Sequence, residues 1–317
     1  MSELARVNIA HTNIEIAPLA LGGNVFGWTA DHDDSFAVLD GFVAGGGNFI
    51  DTADSYSRWV PGNHGGESER IIGKWMHARG SRDDVVIATK VFSHPEFQGL
   101  APDNVRAALT ESLDRLDTDY VDLYYAHHDD AEVPLIEVAA VFSQLVDEGQ
   151  IRAIGVSNFS AERLNEWIRL AREHGYHLPV AMQPHYSLVE RDFETNGLRE
   201  VAEAEGLAVF PYYALASGFL AGKYRESSDG VAEGASPRAA AASKYLDERG
   251  KALLEALDNI AYAHDVEVAS VALAWLRQQP TVAAPIASAR NVAQLPALLA
   301  SMSLELSGAE LSALGAI

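Results

Sequence analysis

Short apolar runs alternate with longer amphipathic segments along most of the chain. The runs are rich in Val, Ile and Ala, and they begin at Leu19, Phe49, Val85, Val121, Ala153, Ala181, Ala208 and Val282. Between them, segments such as 103–117 and 160–175 place apolar residues at the i, i+3, i+4 spacing of a helix, and several end in Gly. This alternation predicts βα units around a parallel sheet.

Eight such units predict an α/β fold of one kind, a single (β/α)8 TIM barrel. About 250 residues plus insertions is typical of that fold, so one domain over 1–317 accounts for a length that would otherwise suggest two. The alternative, a doubly wound dinucleotide-binding sheet, needs a helix directly after the glycine-rich run 22–27, and the pattern there is not helical.

Three additions to the barrel are expected. An N-terminal β-hairpin is predicted over Val7 to Ile16, with its turn at 11–13. The connection 216–250 is too long for a simple loop and is expected to form a lid or a partly ordered flap. A C-terminal helix is predicted after Ser307 as N-cap, with Glu310 at the third helical position.

Composition narrows the function. Apolar residues make up 48% and charged residues 21%, which is typical of a globular protein. The absence of Cys excludes disulfides, thiolate metal sites and Cys nucleophiles. A net charge of −22 argues against nucleic acid or an anionic membrane as partner. Without a leader-like N-terminus or a long apolar stretch, we expect a soluble, cytoplasmic protein.

Seven of the eight predicted strands end in a polar side chain. In a barrel these ends meet at one mouth, where the chemistry of the fold is built. The residues concerned are Asp51, Lys90, His127, Ser157 with Asn158, Gln183, Tyr212 and Ser288. Taken singly, Asp51 could cap a helix, Lys90 could extend its ammonium to solvent, and His127 could be an ordinary rim residue; their joint occurrence favours a site.

Four side chains near this mouth, Asp51, Tyr56, Lys90 and His127, together suggest a tuned acid. A Lys at the end of a buried strand needs a counter-charge, and Asp51 on the neighbouring strand supplies it. Tyr56 follows Asp51 by five residues and can reach the same mouth. Since the ordinary pKa of Tyr is near 10, we expect the Lys90 cation to lower the pKa of Tyr56 by stabilising its phenolate.

Six segments at these positions resemble the aldo-keto reductases. They are GNFIDTADSY (47–56), ATK (88–90), VDLYYAH (121–127), IGVSNF (154–159), QPHYSL (183–188) and PYYALASG (211–218). The resemblance spans nearly the whole chain in order. It implies NAD(P)H-dependent reduction of an aldehyde or ketone to an alcohol.

The resemblance also implies residue roles. Tyr56 would donate a proton to the carbonyl oxygen, Lys90 held by Asp51 would assist it, and His127 would orient the carbonyl. The expected cofactor contacts are Ser157, Asn158 and Gln183 on the carboxamide, Tyr212 stacked on the nicotinamide, and Leu215, Ser217 and Gly218 at the pyrophosphate. Lys223 and Arg225 follow that loop and are expected either to neutralise phosphate or to be solvated.

The segment 285–294 lies where the family binds the adenosine 2′-phosphate. Ser288 and Arg290 suit phosphate, since Arg forms bidentate charge-assisted contacts, and Gln294 closes the same segment. We therefore expect NADP(H) rather than NAD(H).

Aromatic residues on the first three loops predict the substrate. Phe26, Trp28, Trp59 and Phe92 are expected to line a pocket for a bulky or aromatic small-molecule carbonyl. The run 128–130, His-Asp-Asp, is not expected to bind a metal, because neighbouring residues of a strand point to opposite faces.

Two other functions stay open. One is a coenzyme-binding regulatory subunit, like the β-subunits of potassium channels, with little turnover. The other is a barrel lyase or hydrolase that uses His127 and carboxylates, a reading that leaves Tyr56, Gln183 and Tyr212 without roles. The oligomeric state and the natural substrate are not readable from the sequence.

Overall fold

The N-terminal hairpin predicted from the sequence is present. In the computed structural model of the protein, which describes residues 5–225 and 239–317, β1 (Val7–Asn8) pairs antiparallel with β2 (Glu15–Ile16). The turn between them passes through His11, whose φ of 59° lies in the left-handed region. Ile9, Ile14 and Ile16 are buried, so the hairpin contributes an apolar face to the core.

Parallel strands follow at the predicted positions. The further strands are β3 (Ala20–Gly22), β4 (Phe49–Asp51), β5 (Val86–Val91), β6 (Ser93–His94), β7 (Phe97–Gln98), β8 (Val121–Ala126), β9 (Ile151–Ser157), β10 (Pro179–Gln183), β11 (Ala208–Val209) and β12 (Ile286–Ala287). Eight of them form one sheet in the order β11-β10-β9-β8-β5-β4-β3-β12, with every pairing parallel. The short antiparallel pair β6–β7 lies outside it and was not anticipated.

The sheet closes into a barrel. Val209 donates its N–H to Thr281 O over 3.0 Å, and Ala283 donates to Val209 O over 2.9 Å, so β11 is joined to the segment that leads into β12. At the other end, β12 pairs with β3. These contacts confirm the predicted (β/α)8 barrel and exclude the open, doubly wound sheet.

Helices cover the outside of the barrel. They are α1 (His32–Ala44), α2 (Glu67–Arg79), α3 (Pro102–Leu116), α4 (Leu135–Asp147), α5 (Ala161–His174), α6 (Leu198–Glu205), α7 (Ala239–Ser243), α8 (Glu248–His264), α9 (Val268–Arg277), α10 (Leu295–Ala300) and α11 (Gly308–Gly315). Local sequence sets their ends: Ser160 caps α5, which stops at Gly175 with a φ of 70°. At α11 the predicted capping box of Ser307 and Glu310 is present.

The core has two layers. The inner layer fills the barrel with residues such as Phe49, Tyr125 and Phe210, together with the isoleucines of the hairpin. The outer layer lies between strands and helices and is larger. Gly155 is required on β9, because a Cβ there would lie 2.4 Å from the ring of Tyr125.

The connection after β11 begins as a short 3-10 helix, Ala216–Ala221, in which Ser217 and Gly218 have positive φ. The chain is described again from α7 onward. The predicted lid lies partly in 226–238, outside the described residues. Among the helices that are described, none has the length and apolar character needed to cross a bilayer.

Candidate active site

A cavity of about 400 Å3 opens at the carboxyl ends of the barrel strands. Of the four residues predicted to act on the carbonyl, Asp51, Tyr56 and His127 line it, and Lys90 lies fully buried beneath Tyr56. Each residue predicted to contact the cofactor also lines it: Ser157, Asn158, Gln183, Tyr212, Leu215, Ser217, Gly218, Lys223, Ser288, Arg290 and Gln294. The barrel therefore brings together the groups that the sequence places far apart.

Asp51, Lys90 and Tyr56 form one hydrogen-bonded cluster. The Lys90 ammonium donates to Asp51 Oδ2 at 2.7 Å, to the Thr52 carbonyl at 2.7 Å and to the Tyr56 hydroxyl at 2.9 Å. Tyr56 in turn lies 3.3 Å from Asp51 Oδ2 and donates its proton there. Strand geometry produces this cluster, because Asp51 and Lys90 end two neighbouring parallel strands.

The pKa of Tyr56 is raised, so the prediction of a lowered pKa is wrong for this structure. Burial of the hydroxyl raises the pKa of Tyr56 well above its ordinary value, and the charge of Asp51 and the hydrogen bond to it raise that pKa further. Burial also lowers the pKa of Lys90, against the opposing effect of Asp51. The carboxylate that holds Lys90 thus faces the phenol as well, and the proton stays on Tyr56.

His127 is a neutral imidazole beside this cluster. Burial, and then the positive charge of Lys90, hold the pKa of His127 well below its ordinary value. Its ring centroid lies 6.4 Å from that of Tyr56. The buried Nδ1 atom of His127 has no hydrogen-bond partner within the described ranges. A neutral ring in this place can donate one N–H to an oxygen in the cavity.

Hydrogen bonds link the polar side chains along another part of the cavity wall. Gln183 donates from Nε2 to Asp51 Oδ1 at 2.9 Å, and Ser157 donates to the Gln183 carbonyl at 2.8 Å. Asn158 donates to the His127 carbonyl and accepts from the Tyr212 hydroxyl, each over 2.8 Å. The side chains are therefore fixed in place from strand to strand.

Two aromatic side chains, His185 and Tyr213, pack against the ring of Tyr212. The ring of His185 stacks against it, with centroids 5.2 Å apart and planes 14° from parallel. Tyr212 also lines the cavity, and it is half-buried. A planar group in the cavity can pack against a ring whose orientation is already set.

The far end of the cavity carries the groups expected to bind phosphate. Ser288 donates to Asn24 Oδ1 at 2.7 Å, and the Arg290 N–H donates to Gln294 Oε1 at 2.9 Å. Across the described part of the chain, the Arg290 guanidinium has no hydrogen-bond or ion-pair partner. All N–H donors of the Arg290 guanidinium can therefore bind an anion that enters this end of the cavity.

Arg225 does not join this group. Its guanidinium makes a bidentate pair with Asp258 of α8, at 2.6 and 2.7 Å. The phosphate contact considered for Arg225 is thus not supported by its position, whereas Lys223 does line the cavity.

The predicted substrate aromatics are placed unequally. Trp59 lines the cavity with 48% of its surface exposed, and Trp28 packs edge-on against it at 5.5 Å. Phe92 lies 5.2 Å from the ring of His128, behind the wall. The expectation for Phe26 is wrong: Phe26 is fully buried in the outer core, because the chain turns inward directly after β3.

Several residues of the wall were not predicted, among them Tyr213, Asn24 and His128. Tyr213, 54% exposed, lines the cavity with a φ of 53°, and no sequence pattern signals such a backbone. Asn24 and His128 line it too. The glycine-rich run that contains Asn24 could have drawn attention, because such runs let a backbone approach a ligand closely.

The carboxylates beside His128 have other partners. Asp129 forms a bidentate pair with Arg163, and Asp130 accepts from the Leu100 N–H. No group of three or more His, Asp or Glu side chains within 5–225 and 239–317 is arranged to hold a metal ion.

A closed eight-stranded α/β barrel with a polar cavity at its strand ends defines the class of barrel enzymes. Within that class, the sequence matches the aldo/keto reductase family over residues 18–317, and the chain belongs to this family of oxidoreductases.

Relatives align over nearly the full chain. It is 34% identical to protein tas of Escherichia coli, covering 94% of this chain and 93% of that protein. It is 33% identical to norsolorinic acid reductase stcV of Emericella nidulans, covering 94% and 77%. It is 31% identical to an aryl-alcohol dehydrogenase of Pestalotiopsis microspora, covering 93% and 77%.

Proposed function

We propose that the protein is an NADP(H)-dependent carbonyl reductase that converts aldehydes or ketones to alcohols. One observation carries this proposal. A protonated Tyr56 hydroxyl lies in a buried cluster with Lys90 and Asp51, at the edge of a cavity that also contains a neutral His127. Such a set can hold a carbonyl oxygen and give it a proton.

Tyr56 is the proton donor in this proposal. Its raised pKa keeps the hydroxyl protonated at neutral pH, and Lys90 donates to the oxygen from the buried side. The hydrogen bond that Tyr56 donates to Asp51 is long, at 3.3 Å, and is weaker than the one that Tyr56 accepts from Lys90. The Tyr56 O–H can therefore turn towards a carbonyl oxygen in the cavity. After the proton has moved, the phenolate lies 2.9 Å from the Lys90 ammonium, which stabilises it.

His127 orients the carbonyl. Because the imidazole is neutral, it can donate one hydrogen bond to the carbonyl oxygen without competing as an acid. Two donors, from Tyr56 and His127, then converge on one oxygen, and this arrangement stabilises the negative charge that develops there.

The cavity fits a nicotinamide dinucleotide. Ser157, Asn158 and Gln183 present amide and hydroxyl groups suited to a carboxamide, beside the ring of Tyr212. The positive φ values of Ser217 and Gly218 shape a backbone cradle near Leu215 that is suited to a pyrophosphate. Bound NADPH supplies the hydride that reaches the carbonyl carbon.

Preference for NADP(H) rests on the far end of the cavity. Arg290 has a guanidinium with no other partner in the described residues, and Ser288 and Gln294 lie beside it in the wall. Lys223 adds a further cation to the lining. These groups suit the 2′-phosphate that distinguishes the two coenzymes.

An aromatic carbonyl is the proposed substrate. Trp59 and Tyr213 are about half exposed and line the same cavity as Tyr56, so the cavity offers a ligand two aromatic side chains to pack against. A flat ring would cover both of them. One relative carries a name that denotes aromatic compounds, the aryl-alcohol dehydrogenase of Pestalotiopsis microspora.

Substitution of Tyr56 tests the proposal. In Tyr56→Phe, NADPH affinity should stay within about threefold of wild type, while kcat for benzaldehyde should fall by about 100-fold or more, because only the transition state needs the proton. Coenzyme absorbance measures the rate, and fluorescence quenching measures binding. Tyr262→Phe is the matched control, since Tyr262 is 91% exposed on α8. Full turnover by Tyr56→Phe would refute the assignment of the acid.

A further inference from the structure

Asp54 is a buried carboxyl group that the reaction scheme leaves unused. It lies two residues before Tyr56 in the loop after β4, and it is fully buried. Both of its carboxyl oxygens are inaccessible. The Ser55 hydroxyl and the Phe92 amide face them, but within the described residues neither donor reaches them with full hydrogen-bond geometry. An ionised carboxylate is strongly disfavoured in such a place, so the group requires an explanation.

The cation that lowers the pKa of Asp54, Arg115, is already engaged with another carboxylate. Arg115 of α3 donates from Nε to Glu69 Oε2 at 2.7 Å and from Nη2 to Ser112 at 3.1 Å. Glu69 also accepts from Thr89, the residue before Lys90 on β5. The Arg115 guanidinium therefore pairs with Glu69, and among the described residues Asp54 has no ion-pair partner.

The number of buried charges also indicates that one carboxyl group in this region is protonated. At this end of the barrel Asp51, Asp54 and Glu69 are three buried carboxyl groups, whereas Lys90 and Arg115 are two buried cations. Asp51 pairs with Lys90, and Glu69 pairs with Arg115. One added proton makes the set neutral, and Asp54 is the member that needs it.

The surroundings of Asp54 support this protonation. Burial first, and then the negative charge of Glu69, raise the pKa of Asp54 to about 8, against opposing effects of Arg115, the Ser55 hydroxyl and the Phe92 amide. The other titratable groups that feel its charge are Lys90 on β5, Tyr124 on β8 and Tyr56 on its own loop. His94 on β6 adds no cation, because burial lowers its pKa.

Asp54 lies where two loops of the site meet. Its N–H donates to the Lys90 carbonyl at 3.2 Å, which ties the Tyr56 loop to the end of β5. Its carboxyl faces the amide of Phe92, whose φ of 149° is unusual for a residue with a side chain. The ring of Phe92 packs against His128, which packs against His127 at 5.0 Å.

We propose that Asp54 is a positioning residue that works as a neutral carboxylic acid. In this form it lets the Tyr56 loop pack against the end of β5. Ionisation places an unpaired negative charge in the dry space beside Glu69, which displaces the loop and with it Tyr56. The effect on turnover rests on the proposed function, whereas the protonation of Asp54 does not.

Asp54→Asn tests the positioning role, because the amide keeps the shape of the acid and cannot ionise. We expect wild-type kcat for benzaldehyde to fall as the pH rises through about 8, and the Asn variant to keep its activity over the same range. Asp54→Ala should lose at least tenfold in kcat at every pH, since it removes the packing as well. The control Asp33→Asn, at an exposed position on α1, should match wild type.

Thermal unfolding tests the protonation without any turnover. A carboxyl whose folded pKa lies above its unfolded value of about 4 gives stability that is complete at low pH and is lost as the pH rises to about 8. The Tm of Asp54→Asn relative to wild type should therefore rise by about 5–10 °C between pH 4 and pH 8, and then stay constant.

The outcomes separate the two proposals. Parallel Tm curves for wild type and Asp54→Asn would overturn the neutral acid, whatever the activity. The expected Tm difference combined with an unchanged alkaline limb of kcat would overturn the positioning role. If neither protein turns over any carbonyl, the proposed function fails, and the Tm curves still decide whether Asp54 is a neutral acid.

Discussion

The buried ion pair of Asp51 and Lys90 allows a stability prediction that is independent of substrate. Lys90→Met removes the ammonium and keeps a long apolar side chain. It leaves Asp51, whose side chain is 2% exposed, with Gln183 and Tyr56 as its remaining donors. Removing one partner of a buried pair costs about 3–5 kcal/mol, because the other charge stays in a dry environment.

The expected change in Tm follows from the size of the chain. An unfolding entropy of about 2.1 cal/mol/K per residue gives about 0.7 kcal/mol/K for 317 residues. Lys90→Met should therefore lower Tm by about 4–8 °C at pH 7. Scanning calorimetry measures it. The control Lys251→Met breaks an exposed pair with Glu248 and should leave Tm within about 1 °C of wild type.

A double variant completes the cycle. In Asp51→Asn/Lys90→Met no charge remains in the pair, and the Asn oxygen can still accept from Gln183. Most of the lost stability should return, with Tm about 2 °C below wild type or closer. An unchanged Tm in Lys90→Met would mean that Lys90 carries no proton. Simple addition of the two single effects would mean that the charges do not interact, and either result refutes the reasoning.

Two further predictions concern ligands. Arg290→Ala should weaken NADPH binding by about 10-fold or more and NADH binding by less than twofold, because a charge-assisted contact is worth about 1.5–3 kcal/mol. The control Arg225→Ala breaks a pair with Asp258 and should change neither affinity. Equal losses for both coenzymes in fluorescence titrations would contradict the assignment of Arg290. Trp59→Ala should lower kcat/KM for 2-naphthaldehyde by about 10-fold or more and kcat/KM for butanal by less than twofold, since only the aromatic aldehyde has a ring that can cover the face of Trp59. Equal losses for the two aldehydes would argue against an aromatic substrate.

The barrel was predictable because its signal repeats. Each predicted strand is an apolar run, and in seven of the eight a polar residue lies at or near the carboxyl end, so the positions of Asp51, Lys90 and His127 predicted their convergence. The capping box of the last helix was equally local. The antiparallel pair β6–β7 was not predicted, because two-residue strands carry no periodicity.

The chemistry of Tyr56 was predicted less well. The sequence predicts that Lys90 and Asp51 lie near the Tyr56 hydroxyl, but it does not show how deeply that hydroxyl is buried. Burial is the largest cause of the raised pKa of Tyr56. The exposure of Tyr213 depends on a left-handed backbone that no pattern encodes. That the whole chain folds as one domain, and that it prefers NADP(H), stay predictions.

The pairing that closes the barrel also bears on how the protein is made. Ala20 of β3 lies beside Ile286 of β12, so the first and last strands of the sheet are separated by most of the 317 residues. During synthesis β3 and the apolar side chains of Ile9 and Ile14 are made well before β12, so one edge of β3 stays unpaired in the meantime. Contacts this distant in sequence slow folding, and until β12 pairs with it this edge is open to strands of other chains.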